Sequence, residues 1–319
     1  MNYGLPFQGS KSKIAKEIIR ELPRGKRLID LFGGGFAISH CALLSGKWGS
    51  VYYNDIDPLV VDLIQRAVNG EYSYSVFKPD FITRERFNEL KDKDGYIKYI
   101  WSFGNNGSDY LFGKDIEDAK EELHNYVVFD KESKILNGLV GYNSYLPYSE
   151  NNPQETLFEI GHTNEATERR LYLKKILRMA RKRIDLEQLE RLERLQQLER
   201  LQQLERLVLY NHDYREYQYI EGDVVYCDIP YEGTHSYQGN KFNHTEFYEW
   251  AKSRPYPVYF SSYEISDKTI SFIWEMQRLS TYSSQNNNVY RNEKLYLTGK
   301  TTTQCSHYIR GGKNELETK

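Results

Sequence analysis

The run Val224-Val-Tyr-Cys-Asp-Ile-Pro-Tyr231 constrains the fold of this chain more than any other stretch. A short apolar segment rich in Val and Tyr reads as a buried strand, and an acid, a proline and an aromatic ring mark its end. A strand of this kind belongs in an open α/β sheet, where ligands gather beyond the carboxyl ends of the strands. Asp228, the peptide carbonyl after it and the Tyr231 ring offer two acceptors for an amino group and a surface for stacking. That combination suits a nucleobase.

A second strand signal lies near the N-terminus. Arg27-Leu-Ile-Asp-Leu-Phe-Gly-Gly-Gly-Phe-Ala37 reads as a strand that breaks at three glycines and restarts as a helix through Leu44. Such glycines permit a tight turn and let a ligand approach backbone N–H groups at the helix start. Their spacing is not the GxGxxG of dinucleotide enzymes, so the turn reads equally as close packing of helix on strand. Ser50-Val-Tyr-Tyr-Asn-Asp-Ile-Asp57 then supplies another strand ending in acids. Asp55 follows the glycines by about 20 residues, where an acid can accept both hydroxyls of a ribose. Ahead of all this, Phe7-Gln-Gly-Ser-Lys-Ser-Lys13 forms a turn cluster that could cap a small zwitterionic ligand, or equally be an exposed N-terminal segment.

With 319 residues, the chain can bury one large core or a core plus an inserted domain, and two lobes are expected. Lys and Arg number 43 against 45 Asp and Glu, so any nucleic-acid surface must be a local patch. Cys41, Cys227 and Cys305 lack close spacing, which argues against a disulfide framework or a zinc site and for a reducing interior. The seven histidines form no HxxxH or Cys/His cluster, and no metal is expected. The sequence shows neither a leader pattern nor 18 consecutive apolar residues, so the expected location is cytoplasmic with no membrane partner.

Taken in order, Phe7-Gln-Gly-Ser-Lys11, Asp30-Leu-Phe-Gly-Gly-Gly35, Asn54-Asp-Ile-Asp57 and, after a long insert, Asp228-Ile-Pro-Tyr231 resemble the Dam-like, alpha-class DNA adenine-N6 methyltransferases of phages and bacteria. The resemblance implies an α/β fold: a Rossmann-like, S-adenosylmethionine-dependent core with an inserted, mostly helical target-recognition domain. It implies S-adenosyl-L-methionine as cofactor and double-stranded DNA as partner; monomer and weak dimer both remain open. Carried over by position, it assigns cofactor binding to Phe7, Gly9, Lys11, Asp30, Phe32, Gly33, Gly34 and the ribose acid Asp55. Asp213 and Tyr214 match the element that meets the cofactor's adenine, and Asp228, Ile229, Pro230 and Tyr231 match the motif that holds the flipped target base. Ile229 stands where the family usually has a proline, and Phe36 where it often has a small residue. The first change keeps the main-chain carbonyl and gives up only loop stiffness.

The chemistry explains the motif. The N6 lone pair of adenine is delocalised into the ring, so two acceptors, the Asp228 carboxylate and the Ile229 carbonyl, are needed to localise it and aim it at the methyl group. Tyr231 stacking on the extruded base offsets an unstacking cost of a few kcal/mol. Cys227 reads as a small buried strand residue and not a nucleophile. Methylation of an RNA adenine or a protein glutamine, or a non-catalytic DNA-binding module, are the competing readings.

The sequence divides into a core segment over 1–75, an inserted recognition domain over 76–184, a Leu-rich repeat over 185–207 and a second core segment over 208–319. In the insert, the stretch Trp101-Ser-Phe-Gly-Asn-Asn-Gly-Ser-Asp-Tyr-Leu-Phe-Gly113 offers the amides Asn105 and Asn106 to base edges, or is a loop held by its own aromatics. The stretch 169–184 reads as a basic amphipathic helix that offers Arg169, Arg170, Lys174, Lys175, Arg178 and Arg181 to phosphates, or as a solvated charged face. From Leu186 to Leu207 every third residue is leucine. On an α-helix that period walks about 60° per step and makes no straight seam. It fits a helix buried on several sides, a 3₁₀-like or solenoid segment, or a harmless insertion. Asn243 reads as a helix N-cap with Glu246 as its reciprocal acid, and strand-like pieces follow at 257–263, 272–274 and 294–297. His235 and His244 read as hydrogen-bonded surface histidines.

Overall fold

The computed structural model describes residues 3–73, 77–143, 166–179, 186–204, 206–233, 242–280 and 289–299. The chain forms two compact units: Met1–Leu5 with Gly9–Val61 and Arg200–Lys319, and Pro6–Gln8 with Asp62–Glu199.

The first unit is built on a seven-stranded sheet of β1 (Arg27–Asp30), β2 (Ser50–Asn54), β3 (Leu207–Tyr210), β4 (Asp223–Cys227), β5 (Val258–Ser262), β6 (Phe272–Ser280) and β7 (Val289–Thr298). Their order is β3-β2-β1-β4-β5-β7-β6. The first five strands run parallel, and β7 lies antiparallel between β5 and β6. Strands 1, 2 and 4 arise where the apolar runs predict them. β4 is buried at every position, as its unbroken apolar run requires of a strand covered on both faces. Because β1 pairs with β2 on one side and β4 on the other, the chain direction of the connections reverses there. That switch point is where open sheets bind ligands.

The turn from β1 to α1 (Ala37–Ser45) uses its glycines unequally. A side chain at Gly33 would stand 2.1 Å from the Tyr53 ring, whereas Gly34 adopts φ 44°, which favours glycine. The Tyr53 hydroxyl donates to the Gly34 carbonyl at 2.8 Å. Phe36, the departure from the family pattern, caps α1 in the left-handed region at φ 68° with its ring fully buried. Ile29, Val225, Cys227, Phe247, Phe260 and Tyr296 form the core around the sheet. The helix His244–Ser253 starts as predicted: the Asn243 side chain accepts from the Glu246 N–H at 3.1 Å.

The second unit is helical, with α-helices Arg84–Leu90, Gly95–Ile100, Glu117–Phe129, Lys134–Asn143, Ala166–Met179 and Glu187–Gln196. Leu123, Val127, Leu173, Ile176 and Leu189 pack in its core. The leucine repeat is resolved by a change of helix type: α-helical over Glu187–Gln196, then 3₁₀ over Gln197–Leu204. In a 3₁₀-helix residues i and i+3 eclipse, so the period that wanders on an α-helix becomes a straight seam. Leu189, Leu192, Leu195 and Leu198 are completely buried. Polar repeat positions are equally committed. Arg191 donates to the carbonyls of Ile100 (2.6 Å) and Ser102 (2.8 Å), and Gln196 to that of Tyr72 (2.8 Å). The repeat is therefore an integral part of the fold, and the reading as a harmless insertion is corrected.

Candidate active site

Strand register builds the site. Cys227 pairs with Phe260, so the next residues outward, Asp228 and Ser261, stand side by side at the carboxyl ends of β4 and β5. The Ser261 hydroxyl reaches Asp228 Oδ1 at 3.1 Å and lies 2.8 Å from the Tyr226 hydroxyl. The Lys11 ammonium, almost wholly buried, forms an ion pair with the same Oδ1. Burial works against the Lys11 charge, yet the neighbouring Asp228 and Glu293 charges outweigh it and raise its pKa.

Glu293 arrives from β7. Ser262 pairs with Lys294, which sets the preceding Glu293 near Tyr263. The Tyr231 hydroxyl shares its hydrogen between Glu293 Oε1 (3.0 Å) and Oε2 (2.9 Å), and its ring stacks on Tyr263 with centroids 4.0 Å apart. Lys11 Nζ lies 3.9 Å from Glu293 Oε1 and 4.6 Å from the Tyr231 ring centre. The loop is further braced where the His244 ring meets the Pro230 carbonyl at 2.7 Å and where the Ser266 N–H meets Glu232 at 2.9 Å. Ile229 is buried. His244 is thus a brace of the motif, a role its sequence position did not reveal.

A second cluster lies at the ends of β1 and β2. Asp30 is buried; Ser39 donates to its Oδ2 at 2.7 Å, while Oδ1 has no hydrogen-bond partner among the described residues. Burial pushes its carboxyl up to about 7, with the charges of Asp228 and Asp55 adding to the rise against the Ser39 hydrogen bond. Asp55 accepts from the N–H groups of Gly34 (2.8 Å) and Asp57 (2.9 Å), and burial lifts it to about 6 despite them. The rings of Phe32 and Tyr214 meet at 5.0 Å and share Phe242 and Phe247 as neighbours.

The expected cofactor residues therefore gather as Asp30 and Asp55 with Gly34, and Phe32 with Tyr214. Others are placed differently. Lys11 contacts the Asp228 carboxylate, and Gly33 is required by the Tyr53 ring. Asp213 accepts from the N–H of Arg215 and pairs with its guanidinium at 2.6 Å, which fixes the short 3₁₀ turn carrying Tyr214. Gly9 supplies a left-handed turn at φ 77°. Phe7 belongs to the second unit, where it packs on Tyr99 at 4.9 Å.

The nucleic-acid candidates also divide. Arg169 and Arg170 are buried: the former donates to the Val127 carbonyl at 2.8 Å, the latter pairs with Glu193 at 2.5 Å. Their guanidiniums serve the helical core, which corrects their reading as phosphate contacts. Lys174 is paired with Glu190, whereas Lys175 and Arg178 are exposed. Arg181 lies outside the described residues. Asn105 donates to the Tyr99 carbonyl at 2.9 Å, and Asn106 accepts from Ser108 and Asp109 N–H groups, so both amides shape the loop. The side chain this loop presents is one the sequence did not single out: Phe103, 65 % exposed.

Cys227 is buried and its thiol pKa is raised well above normal by burial, which keeps it protonated and inert. Among the described residues no group of three or more His, Cys, Asp or Glu could hold a metal, and no helix is long and apolar enough to cross a membrane. A family model described as MethyltransfD12, D12 class N6 adenine-specific DNA methyltransferase, matches residues 7–298. The chain belongs to this family. A search of curated proteins gives no match. The D12 methyltransferase transfers a methyl group from S-adenosylmethionine to N6 of adenine in DNA. Membership selects DNA adenine over RNA adenine and protein glutamine, and an enzyme over a binding module.

Proposed function

We propose that this D12 methyltransferase acts on an adenine turned out of double-stranded DNA, with its N6 held between the Asp228 carboxylate and the Ile229 carbonyl. The observation that carries the reading is the saturation of Asp228 on one side only. Among the described residues both of its hydrogen bonds fall on Oδ1, so Oδ2 is the oxygen suited to accept an N–H at the switch point of the sheet. The Lys11 ammonium pairs with Oδ1 and leaves Oδ2 facing away from that contact as an acceptor. Two acceptors on one amine draw its lone pair out of the ring plane and aim it.

S-adenosyl-L-methionine supplies the activated methyl group when bound. The donor set fits it: the unpartnered Asp30 Oδ1 suits an ammonium, the lone pairs that Asp55 retains suit ribose hydroxyls, and the Phe32 and Tyr214 rings suit a purine face. On the helical unit, the exposure of Phe103 supports a role in stacking on a base, and that of Lys175 and Arg178 a role in neutralising phosphates.

Asp228→Ala tests the site. Single-turnover transfer of tritiated methyl to unmethylated DNA should fall about 10³-fold, with S-adenosylmethionine affinity by calorimetry changed by less than about threefold. Retained turnover would refute the assignment. Replacing Lys175 and Arg178 by alanine should flatten the salt dependence of DNA binding by about one unit per charge. An unchanged slope would remove these two residues from the interface.

A further inference from the structure

We infer that Glu293 is a positioning residue for methyl transfer, which acts by fixing the Tyr231 ring beside Asp228. It rests on the assignment of the Asp228–Tyr231 motif given above. Glu293 is completely buried, an unfavourable place for a carboxylate unless its oxygens are bound. Both of them take the Tyr231 hydroxyl, and Lys11 Nζ stands 3.9 Å from Oε1. The same lysine is paired with Asp228, so two acids from different strands flank one ammonium.

This arrangement supplies what the sequence gives up at position 229. A proline there would lock φ in the loop; Ile229 does not. The loop must keep Asp228 and Tyr231 in fixed relation, because an error of 1 Å in a reacting geometry can lower a rate by about 100-fold. Stacking on Tyr263 sets the plane of the Tyr231 ring but allows it to slide. The bond from the phenol to Glu293 fixes its far end to β7, which the register ties to β5 and thereby to the strand beside Asp228. Tyr231 is thus held at one end by its backbone and at the other by a strand remote in sequence.

The test uses the full-length enzyme with unmethylated DNA and saturating S-adenosylmethionine. Glu293→Ala and Tyr231→Phe should each lower the single-turnover rate about 30-fold, leave the KM for DNA within about threefold, and combine in the double variant with no more than about twofold further loss. Glu293→Gln, which keeps an acceptor for the phenol, should recover to within about fivefold of wild type. A purely structural role would lower the melting temperature without changing the rate per folded molecule. Wild-type rates in Glu293→Ala, or losses that multiply in the double variant, overturn the inference. Should Glu293→Ala fail to fold, Tyr231→Phe decides: loss of rate at wild-type melting temperature supports it, a wild-type rate overturns it. Asp228→Ala assayed alongside separates the two levels. If that variant stays active, the motif assignment and this inference fall together; if it is dead while Glu293→Ala is not, only the inference falls.

Discussion

One strand carries an acid at each end, and the two acids are treated in opposite ways. Asp223, at the start of β4, is saturated: Arg27 meets it through two nitrogens at 2.5 Å each, Tyr217 donates its hydroxyl, and the Ile220 N–H adds a bond at 2.9 Å. Burial opposes its charge, yet these hydrogen bonds prevail and hold its pKa below the usual carboxylate range. Asp228, one residue past the other end, has two partners among the described residues, both on one oxygen, and its side chain is 20 % exposed. A carboxylate with both oxygens engaged in this way holds a fold together. One with an oxygen to spare can bind something else.

The sharpest way to break this comparison is Asp223→Ala. Losing one partner of a buried pair strands Arg27, so global stability should fall by about 3 kcal/mol in denaturant titration while the folded fraction keeps its methylation rate. A specific loss of rate without loss of stability would show that both ends serve catalysis.

Asp30 sharpens the contrast, since its Oδ1 has no hydrogen-bond partner among the described residues and burial disfavours its charged form. A carboxyl whose folded pKa is raised contributes stability that is present below its unfolded pKa and lost as pH rises toward the folded value near 7. Between about pH 4 and 7 wild type should therefore lose up to about 1.4 kcal/mol per pH unit relative to Asp30→Asn. S-adenosylmethionine, as a cation, should reduce that slope. Thermal melts of both proteins across this range check it, and parallel curves would refute it.

The smallest effects compare single bonds. Ser261→Ala should slow methyl transfer about fivefold with little change in melting temperature, and Tyr217→Phe should lower stability by about 1 kcal/mol with no change in rate. Exchanged outcomes would reverse the roles assigned to the two ends.

Much of the catalytic unit was legible in the chain. The apolar runs that became β1, β2 and β4, the glycine turn and the Asn243 cap depend on neighbours a few residues apart, and local preference decides them. The leucine period left several conformations open; the chain takes α geometry over Glu187–Gln196, with Leu189, Leu192 and Leu195 buried, and 3₁₀ geometry over Gln197–Leu204, with Leu198 and Leu201 buried. Arg169 and Arg170 show where sequence reading failed. A basic run looks solvated until packing shows which guanidiniums must cap buried carbonyls or neutralise buried acids.

The sequence by itself determined strands β1, β2 and β4, their terminal acids and the order of motifs that marks an adenine methyltransferase, because each is written in contiguous residues. Only the tertiary structure decided that Lys11, Asp228, Ser261 and Glu293 share one network. These four come from an N-terminal loop, the ends of two parallel strands and an antiparallel strand. Sheet register and burial, which no local pattern encodes, bring their charges within a few ångströms and so set which carboxylate oxygens remain available for chemistry.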